Sequence, residues 1–180
     1  MEKYDWIKYV KSDIYRYYGT VNYKIILKSL FNRTLRFQII LRMANNKSTM
    51  NVLGRVLYKL SKTKRIIQIH YNTSIGYGLY IGHGGPVIIN PSSIIGNNVN
   101  LSQFLTIGSN HNKAAKIGDN VYIGPNVCIV EDVEIGNNVT IGAGSVVTKS
   151  IPNNATIVGN YAKIINYNNP GRYIKNKWRG

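Results

Sequence analysis

An aliphatic side chain returns every six residues through the middle of this chain, and that period constrains the fold more than any other feature. It falls on Ile69, Ile75 and Ile81, then on Ile89, Ile95, Leu101 and Ile107, then on Ile117, Ile123, Ile129, Ile135, Ile141 and Val147. Glycine follows most of them, as in Ile75-Gly76, Ile117-Gly118 and Ile141-Gly142. A strict short period means a stacked architecture, in which each turn of chain buries its apolar side chain against the next. Six matches neither the helical period nor simple strand alternation. It predicts a mainly β chain: a parallel β-helix with short strands, one aliphatic side chain pointing inward per face, and Gly or Asn supplying left-handed backbone at the corners.

The beat breaks twice. Two extra residues separate Ile81 from Ile89, in a stretch that reads Gly82-His83-Gly84-Gly85-Pro86. Four extra residues separate Ile107 from Ile117, in a stretch that begins Gly108-Ser109-Asn110-His111. A regular prism has no concavity, so a site is expected where the regularity fails. Two of the three histidines fall there; the third, His70, follows the inward Ile69. Cys128 precedes the inward Ile129 and is expected to be a small surface or corner residue.

Outside the beat the chain changes character. Residues 1–65 read as a basic helical region: one helix ending before Gly19, a second from about Val21 to Met43, a polar linker at Asn45–Thr49, and a third carrying Val52, Leu53, Val56, Leu57 and Leu60. Residues 66–165 form the repeat body, and residues 166–180 a basic tail that wraps the body or a neighbour. The net charge of +16 is concentrated at the ends. Residues 1–65 hold fifteen Lys/Arg against three Asp/Glu, the repeat body holds four of each, and the tail adds four Lys/Arg with no acid. Basic ends suggest an anionic partner, and an anionic membrane surface reached through Lys3, Lys8, Lys11 and Arg16 fits them. The body has no basic stripe and no nucleic-acid motif, so no nucleic-acid partner is expected. No apolar run approaches transmembrane length and no secretory pattern opens the chain. A cytoplasmic location is therefore expected, peripheral on the inner membrane face if the ends dock there.

The segments Ile75-Gly76-Tyr77-Gly78-Leu79-Tyr80-Ile81-Gly82-His83 and Ile141-Gly142-Ala143-Gly144-Ser145-Val146-Val147, with Val158-Gly159-Asn160-Tyr161-Ala162-Lys163 closing the repeat, resemble the hexapeptide-repeat acyltransferases. The likeness is to the serine acetyltransferase group, including its shorter relatives in polysaccharide gene clusters. It implies a left-handed parallel β-helix with an N-terminal helical segment and a short C-terminal extension. It also implies acetyl-CoA as co-substrate with no metal, and a homotrimer or dimer of trimers with the CoA groove between subunits. His83 then corresponds to the general base, an imidazole near its own pKa that takes the proton from an acceptor hydroxyl. Gln68 stands where the family places an aspartate that orients the base. The resemblance further implies CoA contacts at Ser109, Gly124, Pro125, Ala143, Lys149 and Lys163, and an acceptor contact at His111.

Several positions depart from the serine-specific pattern. Gln68 and Gly82 replace aspartates, and the Arg-His pair that holds the amino acid in that group aligns with Lys113-Ala114 or with a shifted loop. A neutral sugar hydroxyl needs neither a carboxylate clamp nor an ammonium partner. The expected reaction is therefore O-acetylation of a sugar in a surface polysaccharide or its precursor. Serine O-acetylation in cysteine biosynthesis is the alternative. A zinc hydrase would need His70, His83 and His111 to converge on a metal.

Overall fold

The computed structural model describes residues 4–111 and 113–180, so Lys3 lies outside the described residues. The repeat winds into a three-faced parallel β-solenoid. The first face stacks Ile67–Ile69, Val87–Ile89, Leu105–Gly108, Cys128–Val130 and Val146–Val147. The second stacks Ser74–Ile75, Ile94–Ile95, Lys116–Ile117 and Glu134–Ile135. The third stacks Tyr80–Ile81, Asn100–Leu101, Tyr122–Ile123, Thr140–Ile141 and Thr156–Val158, with Lys163–Asn166 added antiparallel at its edge. Register follows the beat: Ile69 pairs Ile89, Ile89 pairs Ile107, and Ile129 pairs Ile107 and Val147.

The beat captured half of the interior. Its residues are buried, with Ile75 half-buried, but each turn also buries a residue two positions earlier. Leu79, Val99, Val121, Val139 and Ala155 do this beside Ile81, Leu101, Ile123, Ile141 and Ile157. The face therefore carries two inward side chains per strand, not one. Between the second and third faces, Asn98, Asn120, Asn138 and Asn154 hold left-handed φ of 55–66°, which Asn tolerates because its short side chain bonds locally. The same corner forms a side-chain ladder: Asp119 N–H donates to Asn137 Oδ1 at 2.7 Å, and Asn137 N–H to Asn153 Oδ1 at 2.7 Å.

A solenoid's first turn leaves unpaired backbone groups that need partners. Here helices supply them. α1 spans Trp6–Tyr18, α2 Tyr23–Phe31, α3 Arg33–Ala44 and α4 Asn51–Leu60, followed by a 3-10 turn at Lys62–Arg65. From α1, Ser12 Oγ accepts from Gly78 N, Asp13 Oδ1 from Leu79 N, and Tyr17 OH from Ile81 N. From α3, Gln38 Nε2 donates to Leu79 O, and Arg42 donates to Ile75 O, Gly76 O and both carboxylate oxygens of Asp13. From α4, Tyr58 OH donates to Ile69 O.

Two expectations change, and one choice between alternatives is made. The single helix from Val21 to Met43 is two helices, because Asn32 breaks the first and caps the second, accepting from Thr34 N and Leu35 N. Arg16 is not a surface charge: it is 4 % exposed and donates to Gly78 O, Asn100 Oδ1 and Lys175 O. The tail wraps its own body. Gly171 N–H bonds Asn138 O, Asn98 exchanges two bonds with Trp178, and Trp178 meets Tyr15 of α1 edge-on. The tail thus ties the last turns to the first helix. Among the described residues, no helix is long and apolar enough to cross a membrane.

Candidate functional site

His83 lies on the corner where the third face turns into the first. It is exposed, and its side chain makes no hydrogen bond among the described residues. Its φ of 59° and that of Gly84, 60°, are both left-handed. Gly84 is required there: a Cβ would sit 2.8 Å from Thr34 Oγ1 of α3. The segment before it is pinned from beneath by Tyr17, whose hydroxyl lies 2.8 Å from Ile81 O, 3.0 Å from Ile81 N and 2.7 Å from Gln38 Oε1. Burial raises the Tyr17 phenol well above its usual range, so it stays a neutral donor.

Counting along the register places Gln103, Pro125 and Ala143 at the position His83 occupies, each two residues after an inward residue of the third face. Gln103, Pro125 and Ala143 therefore continue the column below His83, with Gly124 beside Pro125 in the neighbouring column. Gly124 has a structural reason of its own, since a Cβ would lie 2.9 Å from Ala143 N and Ile141 O. Beside Ala143, a Cβ on Gly144 would meet nothing within 4 Å, which leaves an open shelf.

Other candidates fall elsewhere. Ser109 and Lys149 lie on the opposite edge of the first face, and Lys163 starts the last strand of the third. His111 lies in the inserted loop, exposed, with Nε2 3.8 Å from Glu131 Oε2. Ser109 Oγ donates to that same carboxylate at 2.9 Å. Glu131 was missed in the sequence, although it sits two residues after inward Ile129 just as Ser109 sits two after Ile107. Gln68 points outward from the first face and donates to Arg65 O at 3.4 Å; it makes no hydrogen bond to His83. His70 Nδ1 accepts from Asn72 N, a turn contact.

A groove of about 790 Å³ crosses the first face. Gln68, Ile88 and Thr106 form its floor, and Asn90 and Ser109 line one side. Tyr58, Lys64 and Arg65, at its head, were not singled out in the sequence because only the fold brings the 3-10 turn over this face. Ile66 O accepts from Val87 N, so that turn overlies the His83 segment one coil below.

Residues 114–149 match the family described as Bacterial transferase hexapeptide (six repeats). The serine acetyltransferase of Staphylococcus epidermidis is 38% identical over 117 residues, covering 63% of this chain and 55% of that protein. The structure of Neisseria gonorrhoeae serine acetyltransferase in complex with serine superposes with a TM-score of 0.68 at 27% identity, over 89% of this chain and 69% of that one. The chain carries hexapeptide repeats and is similar to the serine acetyltransferases among such proteins. The Brucella abortus serine acetyltransferase in complex with coenzyme A shares the fold, with a TM-score of 0.71 at 24% identity.

This hexapeptide-repeat chain spans about half the length of the S. epidermidis relative. The relatives correct one expectation. The sugar acceptor was inferred from the missing carboxylates at Gln68 and Gly82. The similar proteins are named serine acetyltransferases, so those two replacements do not make a polysaccharide enzyme. Gln68 still offers an amide to the groove, with Lys64 and Arg65 beside it.

Proposed function

We propose that this chain is an acetyl-CoA-dependent serine O-acetyltransferase with His83 as general base. The observation that carries the reading is His83: an exposed imidazole, free of internal bonds among the described residues, on a doubly left-handed corner at the head of the column Gln103, Pro125 and Ala143. In the reaction, Nε2 or Nδ1 of His83 takes the proton of the serine hydroxyl as that oxygen attacks the thioester carbonyl. The tetrahedral oxyanion collapses, the C–S bond breaks, and the imidazolium returns its proton to the departing thiolate.

The pantetheine arm fits along Pro125 and the open shelf at Ala143, past Gly124. Lys163 pairs with Val158, one coil beyond Ala143 on the same edge, whereas Ser109 and Lys149 stand on another edge of the prism, too far around to meet that arm in one chain. These two flank the far side of the first face, about 10 Å away for a three-residue strand. A neighbouring copy packed along this face would bring both edges to one ligand, which supports a trimer or a pair of trimers. The test is acetyl transfer from acetyl-CoA to L-serine, followed by thiol release. Thiol release that does not depend on serine overturns the reading.

A separate reading concerns placement. We infer that α2 and α4 rest on an anionic lipid surface. Phe31 is 88% exposed, and Val52 and Leu60 are each 74% exposed. Lys24, Lys28 and Lys59 lie among them, and no Asp or Glu occurs from residue 14 to residue 118. Two copies of so basic a face repel one another, whereas anionic lipid complements it.

A further inference from the structure

An amino-acid acceptor brings a carboxylate and an ammonium, and each needs a partner in the site. We infer that Arg65, with Lys64, binds the acceptor's α-carboxylate, and that Gln68 receives its ammonium. The inference rests on the proposed function and names the specificity residues of that site. The Arg65 guanidinium is exposed and makes no side-chain hydrogen bond or ion pair among the described residues. The Lys64 ammonium has the Tyr58 ring, 5.9 Å away, and no carboxylate. None of the residues lining the groove is acidic, and the nearest acid across the first corner, Glu131, is held by Ser109. Two unneutralised cations therefore head a groove that contains no internal anion. A planar guanidinium suits a carboxylate in a bidentate pair, with the ammonium of Lys64 as a second charge.

Gln68 is the part of the floor next to these cations. Its Nε2 is turned to Arg65 O, which leaves Oε1 as an acceptor facing outward. A carbonyl oxygen accepts from an ammonium, so the groove offers both halves of a zwitterion. His83 stands at the edge of the same face, one coil below the 3-10 turn. A short hydroxy-amino acid held this way directs its hydroxyl along that edge. The loop position Lys113-Ala114, which lacks an Arg-His pair, is then not needed for the carboxylate.

The test uses the full chain and steady-state kinetics with L-serine and, separately, with 2-aminoethanol, which lacks the carboxylate. Arg65→Gln is expected to raise KM for serine about tenfold to a hundredfold, the loss of one charge-assisted bond, with kcat and KM for acetyl-CoA little changed. Arg65→Lys should recover part of the loss, and the small activity toward 2-aminoethanol should not respond to either change. A shift in KM for acetyl-CoA instead would assign Arg65 to the CoA phosphates and overturn the inference. Serine transfer with an unchanged KM in Arg65→Gln overturns it while leaving the proposed function intact. A wild-type chain that does not acetylate serine removes both. Arg65 is exposed, so circular dichroism of the variant should match the wild type.

Discussion

At the scale of single residues, the proposed function turns on His83, and the corner that carries it on the phenol beneath. His83→Ala should lower serine-dependent turnover by about two to four orders of magnitude, the usual contribution of a positioned base, with CoA binding retained. Near-normal turnover in a folded variant would remove His83 from the mechanism. Tyr17→Phe leaves Ile81 N without its partner and should cost about 1–3 kcal/mol of stability, read from denaturant midpoints. The same variant tests a pH effect. Above pH about 10, the ordinary phenol pKa, the unfolded chain releases the Tyr17 proton while burial makes the folded chain keep it. The unfolded state then binds fewer protons, and stability falls as pH rises. Tyr4, pushed up to about 12 by burial, acts in the same sense, whereas Arg16, lowered to about 10 by burial, acts in the opposite one. The alkaline decline should be shallower in Tyr17→Phe than in the wild type; equal slopes would contradict the assignment.

At the scale of elements, the solenoid depends on what closes its first turn. The pair Asp13–Arg42 is the centre of that closure, with the two side chains 2% and 4% exposed. Asp13→Asn leaves a buried guanidinium with no counter-charge and should cost about 3–5 kcal/mol. A chemical-denaturation loss below about 1 kcal/mol would show that the helices sit on the solenoid without supporting it. Leu101→Ala, in the fully buried stack, should cost about 2–5 kcal/mol through the cavity it leaves. Some of this was legible in sequence. The beat located nearly every strand, because a period set by inward packing is local. Asn32 as a helix break was also legible in principle, since Asn is a preferred N-cap. The capping of Gly78, Leu79 and Ile81 was not, because it joins residues more than sixty positions apart.

At the scale of the whole molecule, assembly and placement are the open measurements. Light scattering should report a trimer or a multiple of three; a fully active monomer would show that one chain completes its own site. Vesicles with anionic lipid should bind the chain at low salt, with about a fivefold loss of affinity for each lysine replaced among Lys24, Lys28 and Lys59. Binding indifferent to lipid charge, or a change in oligomer size on replacing Phe31, Val52 and Leu60 with Ser, would assign α2 and α4 to another protein surface instead. The sequence by itself determined the solenoid, its register and the two interruptions, because stacking repeats the same local choice at each turn. It also marked His83, because an imidazole in a Gly-rich interruption has little to do in a core. Only the tertiary structure buried Arg16, folded the tail back onto its own body, turned the Gln68 amide to Arg65 O, and placed Arg65 over the groove. Those four depend on chain segments meeting from different ends of the sequence, and no local period encodes such a meeting.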